Sequence, residues 1–65
     1  MNKFCTNVKE LRQSVNLSQK VLAEKLNVSE RTVSHWENGT RECDFDTLIR
    51  IADFFGVTID ELLRQ

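Results

Sequence analysis

Residues 17–40 read LSQKVLAEKLNVSERTVSHWENGT, and the reading of this stretch decides the fold. Ser18 and Ser29 are good N-caps, because a serine hydroxyl accepts a hydrogen bond from an amide left without a partner at a helix start. Behind Ser18, the apolar residues Leu22, Ala23 and Leu26 recur at helical spacing, and behind Ser29, Val33 and Trp36 do the same. Asn27 stops the first of these helices, since asparagine visits the left-handed backbone region that a helix stop uses. Only Val28 stands between it and Ser29, and Gly39 stops the second helix. The stretch predicts two short helices, residues 19–26 and 30 to about 38, joined by a turn of about three residues.

Two helices joined this tightly cannot lie antiparallel. They cross at a steep angle, which is the helix-turn-helix arrangement. The crossing needs a small residue where the backbones approach, and Ala23 supplies it. It also needs apolar residues on both helices and in the turn, a role that Leu22, Leu26, Val28, Val33 and Trp36 fit. Trp36 lies one turn from Val33 on the inner face, so it reads as core and not as a platform for stacking bases.

Outward from this motif the same signals continue. Phe4, Val8, Leu11 and Val15 mark an amphipathic helix over residues 3–14, with Asn16 as a left-handed stop and Leu17 packing beyond it. Asp44 caps a fourth helix whose inner stripe is Phe45, Leu48, Ile51, Ala52 and Phe55, and Gly56 stops it. Thr58 and Glu61 form a capping box for a last short helix bearing Ile59, Leu62 and Leu63. The expectation is one compact all-α domain of five helices over residues 1–65, with the helix-turn-helix at 19–38 and the C-terminal helices at 45–64.

Composition narrows the function. Sixty-five residues make one domain, with a stability margin of roughly a few kcal/mol. The chain has no proline and two glycines, which suits helices and short turns. No apolar run approaches the ~20 residues of a membrane span. The first residues carry no basic-then-apolar signal, so a cytoplasmic location is expected. Cys5 and Cys43 read as reduced thiols, and with His35 they lack the spacing and the fourth ligand of a zinc site. No paired carboxylates, nucleophile–base set or phosphate loop appears. Neither enzyme activity, nor a cofactor, nor a metal is expected. The net charge of −1 hides an asymmetry: residues 1–41 hold seven Lys/Arg against four acids, and residues 42–65 hold two against six. Such a domain can present one end to a polyanion and turn the other away.

Residues 17–40 resemble the Cro/phage-repressor family, also called the XRE family, and FDTLIRIADFFGVTIDELL at 45–63 looks like that family's fourth and fifth helices. The resemblance covers nearly the whole chain and implies a lambda-repressor-like fold. Asn27 stands where the family usually has glycine, and Cys43 where proline is common. The resemblance implies a transcription regulator, a repressor in the first instance, that binds double-stranded DNA with its third helix in the major groove. It implies base contacts from Glu30, Arg31, Thr32, Ser34 and His35, with Arg31 able to fork onto guanine. Three of them have a plainer alternative: a dipole-favoured first-turn acid for Glu30, a phosphate contact for Arg31, a solvated surface histidine for His35. The implied backbone contacts are Ser18, Gln19, Lys20, Asn38, Thr40 and Arg41, and Arg12 with Glu37 is implied as a structural ion pair.

One short helix gives limited discrimination. The resemblance therefore also implies a homodimer on a palindromic operator, with half-sites about 34–36 Å apart. Phe54, about half a turn from the Phe45 stripe, is the candidate dimer contact. The competing reading is an antitoxin-like or bridging module that keeps the fold and engages a protein partner, which the acidic second half favours.

Overall fold

The computed structural model describes residues 3–40 and 43–64. They form α1 (Phe4–Ser14), α2 (Gln19–Leu26), α3 (Glu30–Asn38), α4 (Phe45–Phe55) and α5 (Ile59–Leu63), with no strand among them. Helix α3 packs on α1 and α2, α5 packs on α1 and α4, and α4 touches α2.

Local chemistry explains the boundaries. Ser18, Ser29, Asp44 and Thr58 each accept a hydrogen bond from the amide three residues on, and Thr58 with Glu61 completes a capping box. The helix stops follow one rule as well. Asn16, Asn27, Gly39 and Gly56 have φ of +60°, +61°, +76° and +70°. At each, two amides turn back onto the last helical carbonyls, as Asn27 and Val28 do onto Glu24 and Ala23 at 3.2 and 2.9 Å. In three connections the left-handed residue is followed by an apolar one and then by a capping hydroxyl: Asn16-Leu17-Ser18, Asn27-Val28-Ser29 and Gly56-Val57-Thr58. The apolar middle residue is half-buried against the core each time. Only the link from α3 to α4 departs from this pattern.

The core gathers one stripe from every helix: Phe4 and Val8, then Leu22, Ala23 and Leu26, then Val33 and Trp36, then Ile51 and Ala52, then Leu62. Trp36 is 1% exposed and meets Phe4 edge-on, with ring centroids 6.3 Å apart. Asn7 joins the chain's two ends, its amide donating to the Leu62 and Arg64 carbonyls at 2.9 and 2.5 Å.

Two expected core residues lie outside it. Phe45 is 68% exposed. At 100° per residue it falls roughly 70° from the centre of the stripe formed by Leu48, Ile51, Ala52 and Phe55. Val15 is half exposed, because the helix has already ended at Ser14 and Val15 carries the non-helical φ/ψ of its cap.

The tightest turn yields a test. Asn27→Gly should leave the urea midpoint nearly unchanged, whereas Asn27→Val should lower stability by about 1–2 kcal/mol, because a side chain branched at Cβ resists the left-handed conformation. Leu22→Ala, at a site with no exposure, should cost about 2–5 kcal/mol, most of what a domain of this size has.

Candidate nucleic-acid interface

The site is built on α3. Its inner positions, Val33 and Trp36, are fixed in the core. Helical geometry therefore turns Arg31, Ser34, His35 and Asn38 to the opposite side. Arg31 is exposed and makes no ion pair or hydrogen bond among the described residues. Glu30 is exposed in the first turn of α3, where a negative charge also suits the helix dipole. Ser34 is half-buried, and the Asn38 amide lies 3.4 Å from its hydroxyl. His35 is half-buried, with Nδ1 3.0 Å from the Thr40 hydroxyl.

Thr32 stands at the edge of this face. It is half-buried, and its hydroxyl lies 2.8 Å from that of Ser29, whose oxygen also accepts from the Thr32 amide at 3.1 Å. The hydroxyl is thus engaged at the helix start. Arg41 lies outside the described residues.

The start of α2 adjoins the last turn of α3. Gln19 donates through its amide to Glu37 Oε1 at 3.1 Å. Ser18 accepts from the Val21 amide at 3.1 Å, and the first-turn amides ahead of it have no partner within the helix, as at any helix start. Lys20 is exposed beside them. These groups form the flank of the site that suits an anion.

A polar knot holds the two parts together. Arg12 Nε and Nη2 donate to the two Glu37 oxygens at 2.6 and 3.0 Å, a fork-to-fork pair. Its Nη1 donates to the Leu17 carbonyl at 2.7 Å. The Arg12 and Glu37 side chains are 12% and 3% exposed. Helices α1, α2 and α3 thus share one hydrogen-bonded node. The hydrogen bond to Glu37 raises the Arg12 pKa against the opposing effect of burial. For Glu37, burial pushes the carboxyl up, but the hydrogen bonds from Arg12 and Gln19, with the charges of Arg12 and Lys9, outweigh it and hold the carboxyl below its ordinary value.

Sequence spacing brought Arg31, Ser34 and His35 to one face. It did not show that Gln19 joins Glu37, that Arg12 reaches Leu17, or that Thr40 reaches His35, because these contacts cross between elements. Phe54 is 38% exposed on α4 and stacks edge-on against Phe55, outside this face.

A short helix pair crossing through a left-handed turn, with one helix locked inward and its far side polar and open, defines a helix-turn-helix protein. The helix-turn-helix family matches residues 8–62, and the chain belongs to it, in its XRE-type branch. It is 45% identical over 60 residues to the transcriptional activator BcrR of Enterococcus faecalis, covering 92% of this chain and 29% of that protein. A transcriptional regulator from Listeria innocua superposes with a TM-score of 0.91 at 36% identity, covering 97% of this chain and 59% of the other. The restriction-modification controller protein C.AhdI of Aeromonas hydrophila gives 0.84 at 28% identity, covering 94% and 92%. The same fold makes up 33% of hydroxypropylphosphonic acid epoxidase from S. wedmorenis, with a TM-score of 0.84 at 33% identity over 95% of this chain. The chain spans about half or less of the curated relatives it first matches. Among the described residues no helix is long and apolar enough to cross a membrane, and no three potential metal ligands cluster.

The knot predicts a stability pattern. Arg12→Met strands a buried carboxylate and should cost about 3–5 kcal/mol, while pairing it with Glu37→Leu should recover much of the loss. The Glu37 pKa is lower folded than unfolded. Its contribution is therefore complete above the unfolded value, about 4.3, and is lost as pH falls through the folded one. Denaturation midpoints measured from pH 7 down to about 2 should fall less steeply in Glu37→Gln than in the parent.

Proposed function

We propose that the chain binds double-stranded DNA in a sequence-specific manner, as a two-fold dimer on a palindromic operator, with α3 in the major groove. Arg31 carries this reading. It is a cation held in the open, with no partner among the described residues, on the outer face of a helix whose inner face is locked in the core. A free guanidinium so placed forks onto guanine O6 and N7. Glu30, Ser34 and His35 flank it as further base contacts, and Thr32 contributes from the edge of the face. Ser18, Gln19, Lys20, Asn38 and Arg41 serve the phosphates, while the Thr40 hydroxyl is turned onto His35. In this reading the chain binds and does not catalyse. Repression is the simpler outcome, since a dimer seated on an operator excludes other proteins from the same groove without any further contact.

Phe54 is the proposed dimer contact, supported by its partial exposure on α4. A second reading has its own support on the same helix. Phe45 and Ile49 are exposed large apolar residues on one side of α4, away from Phe54, and the second half of the chain is acidic. A protein partner with apolar and basic groups would suit that surface, as an antitoxin-like or bridging module requires.

Random-site selection with the purified protein should return a palindrome with half-sites about one helical turn apart. Arg31→Ala should then cost about 1–3 kcal/mol per half-site and relax one position in each, whereas Lys20→Ala should weaken all sequences alike and reduce the salt slope by about 1 per half-site, about 2 for the dimer. Selection that enriches no duplex even at low salt, together with a stoichiometric protein partner whose binding tolerates Arg31→Ala and Gln19→Ala, would establish the second reading instead.

A further inference from the structure

The last turn of α3 differs from the other left-handed helix ends in one respect. At each stop the residue after the left-handed one sends its amide back to a helical carbonyl five positions earlier: Leu17 to Arg12, Val28 to Ala23, Thr40 to His35, Val57 to Ala52. An apolar side chain is the usual occupant of that returning position, where it packs on the helix it closes. Leu17, Val28 and Val57 conform, and Thr40 does not. Its hydroxyl instead makes two contacts with the residue it returns to, lying 3.3 Å from the His35 carbonyl and 3.0 Å from His35 Nδ1.

A threonine hydroxyl has one proton to donate and can accept as well. The carbonyl can only accept, so that contact is made only if the hydroxyl proton points to it. The Thr40 oxygen is then an acceptor toward the ring, and Nδ1 must carry the ring proton. The opposite arrangement, with the hydroxyl donating to a bare Nδ1, makes only one of the two contacts and leaves the carbonyl to the Thr40 amide at 3.1 Å. In a neutral imidazole one nitrogen donates and the other accepts. A proton on Nδ1 therefore leaves Nε2 as an acceptor, and no described residue hydrogen-bonds to Nε2.

We propose that Thr40 is a positioning residue that holds His35 as the Nδ1–H tautomer, so that His35 Nε2 accepts a hydrogen bond from an exocyclic amino group in the major groove, cytosine N4 or adenine N6. These are the amino donors that bases present there. Arg31, one turn earlier on the same face, can only donate and reads the complementary groups, guanine O6 and N7. The two side chains thus divide the groove's pattern between them, one seeking acceptors and the other donors. The base assignment rests on the DNA-binding reading above; the tautomer does not.

Two measurements test it separately. Long-range 15N–1H correlation spectra of the free protein, taken at alkaline pH where imidazole is neutral, report which ring nitrogen is protonated. The parent and Thr40→Ser should show Nδ1–H. Thr40→Val should lose that preference while keeping its helical circular dichroism, since valine fills the equivalent position at residues 28 and 57. An Nε2–H ring in the parent, or a ring unaffected by Thr40→Val, overturns the proposal.

The second measurement uses the selected operator with single groups deleted. Purine replaces adenine and pyrimidin-2-one replaces cytosine to remove each amino group, and 7-deazapurines remove each N7. One amino deletion should weaken the parent about three- to tenfold, the scale of one hydrogen bond, and leave His35→Ala unaffected. Coupling of His35 to a 7-deaza position, or to no position, overturns the base assignment. If no duplex binds at all, that assignment falls together with the DNA-binding reading, while the spectra still decide the tautomer.

Discussion

The left-handed turn is the constraint on which this molecule depends. Three of its connections use the same three-residue device, a left-handed Asn or Gly, an apolar residue and a capping hydroxyl. The left-handed residue lets two amides close the outgoing helix. The hydroxyl opens the next helix two residues later, so almost no chain is spent between them. The apolar residue pins the corner to the core. Helices joined in this way must turn sharply, and a sharp turn between α2 and α3 is what lets both bury one side on Leu22, Val33 and Trp36 while the other side of α3 stays open.

The polar knot of Arg12, Glu37 and Gln19 does a different job. Apolar contacts are non-directional and tolerate small slides between helices. A forked guanidinium–carboxylate pair does not, because both of its hydrogen bonds need one geometry. Holding the start of α2 to the last turn of α3, it fixes the spacing between the anion-favouring helix start and the open polar face. Any surface those two parts recognise together must match that spacing.

Much of the architecture was legible in the chain. The caps at Ser18, Ser29, Asp44 and Thr58 and the stops at Asn16, Asn27, Gly39 and Gly56 act within a few residues, so local chemistry sets them and the helix limits follow. The resemblance of residues 17–40 to the XRE family pointed to the family that the comparison finds. Periodicity was weaker at helix ends. Phe45 and Val15 lie exposed, since Phe45 sits at the edge of the apolar stripe of α4 and Val15 falls past the last residue of α1.

At the site the division is sharper. The order of residues on α3 alone determined that Arg31, Ser34 and His35 share a face, because 3.6 residues per turn places them there whatever surrounds the helix. It could not determine that Thr32 spends its hydroxyl on Ser29, that Thr40 spends its own on His35, or that Gln19 is drawn to Glu37. Hydroxyls and amides accept several partners at similar cost, and which partner is present depends on where the chain's turns and packed helices bring the groups. The sequence therefore settled which residues face outward, and the tertiary structure decided which of their donors and acceptors remain unused.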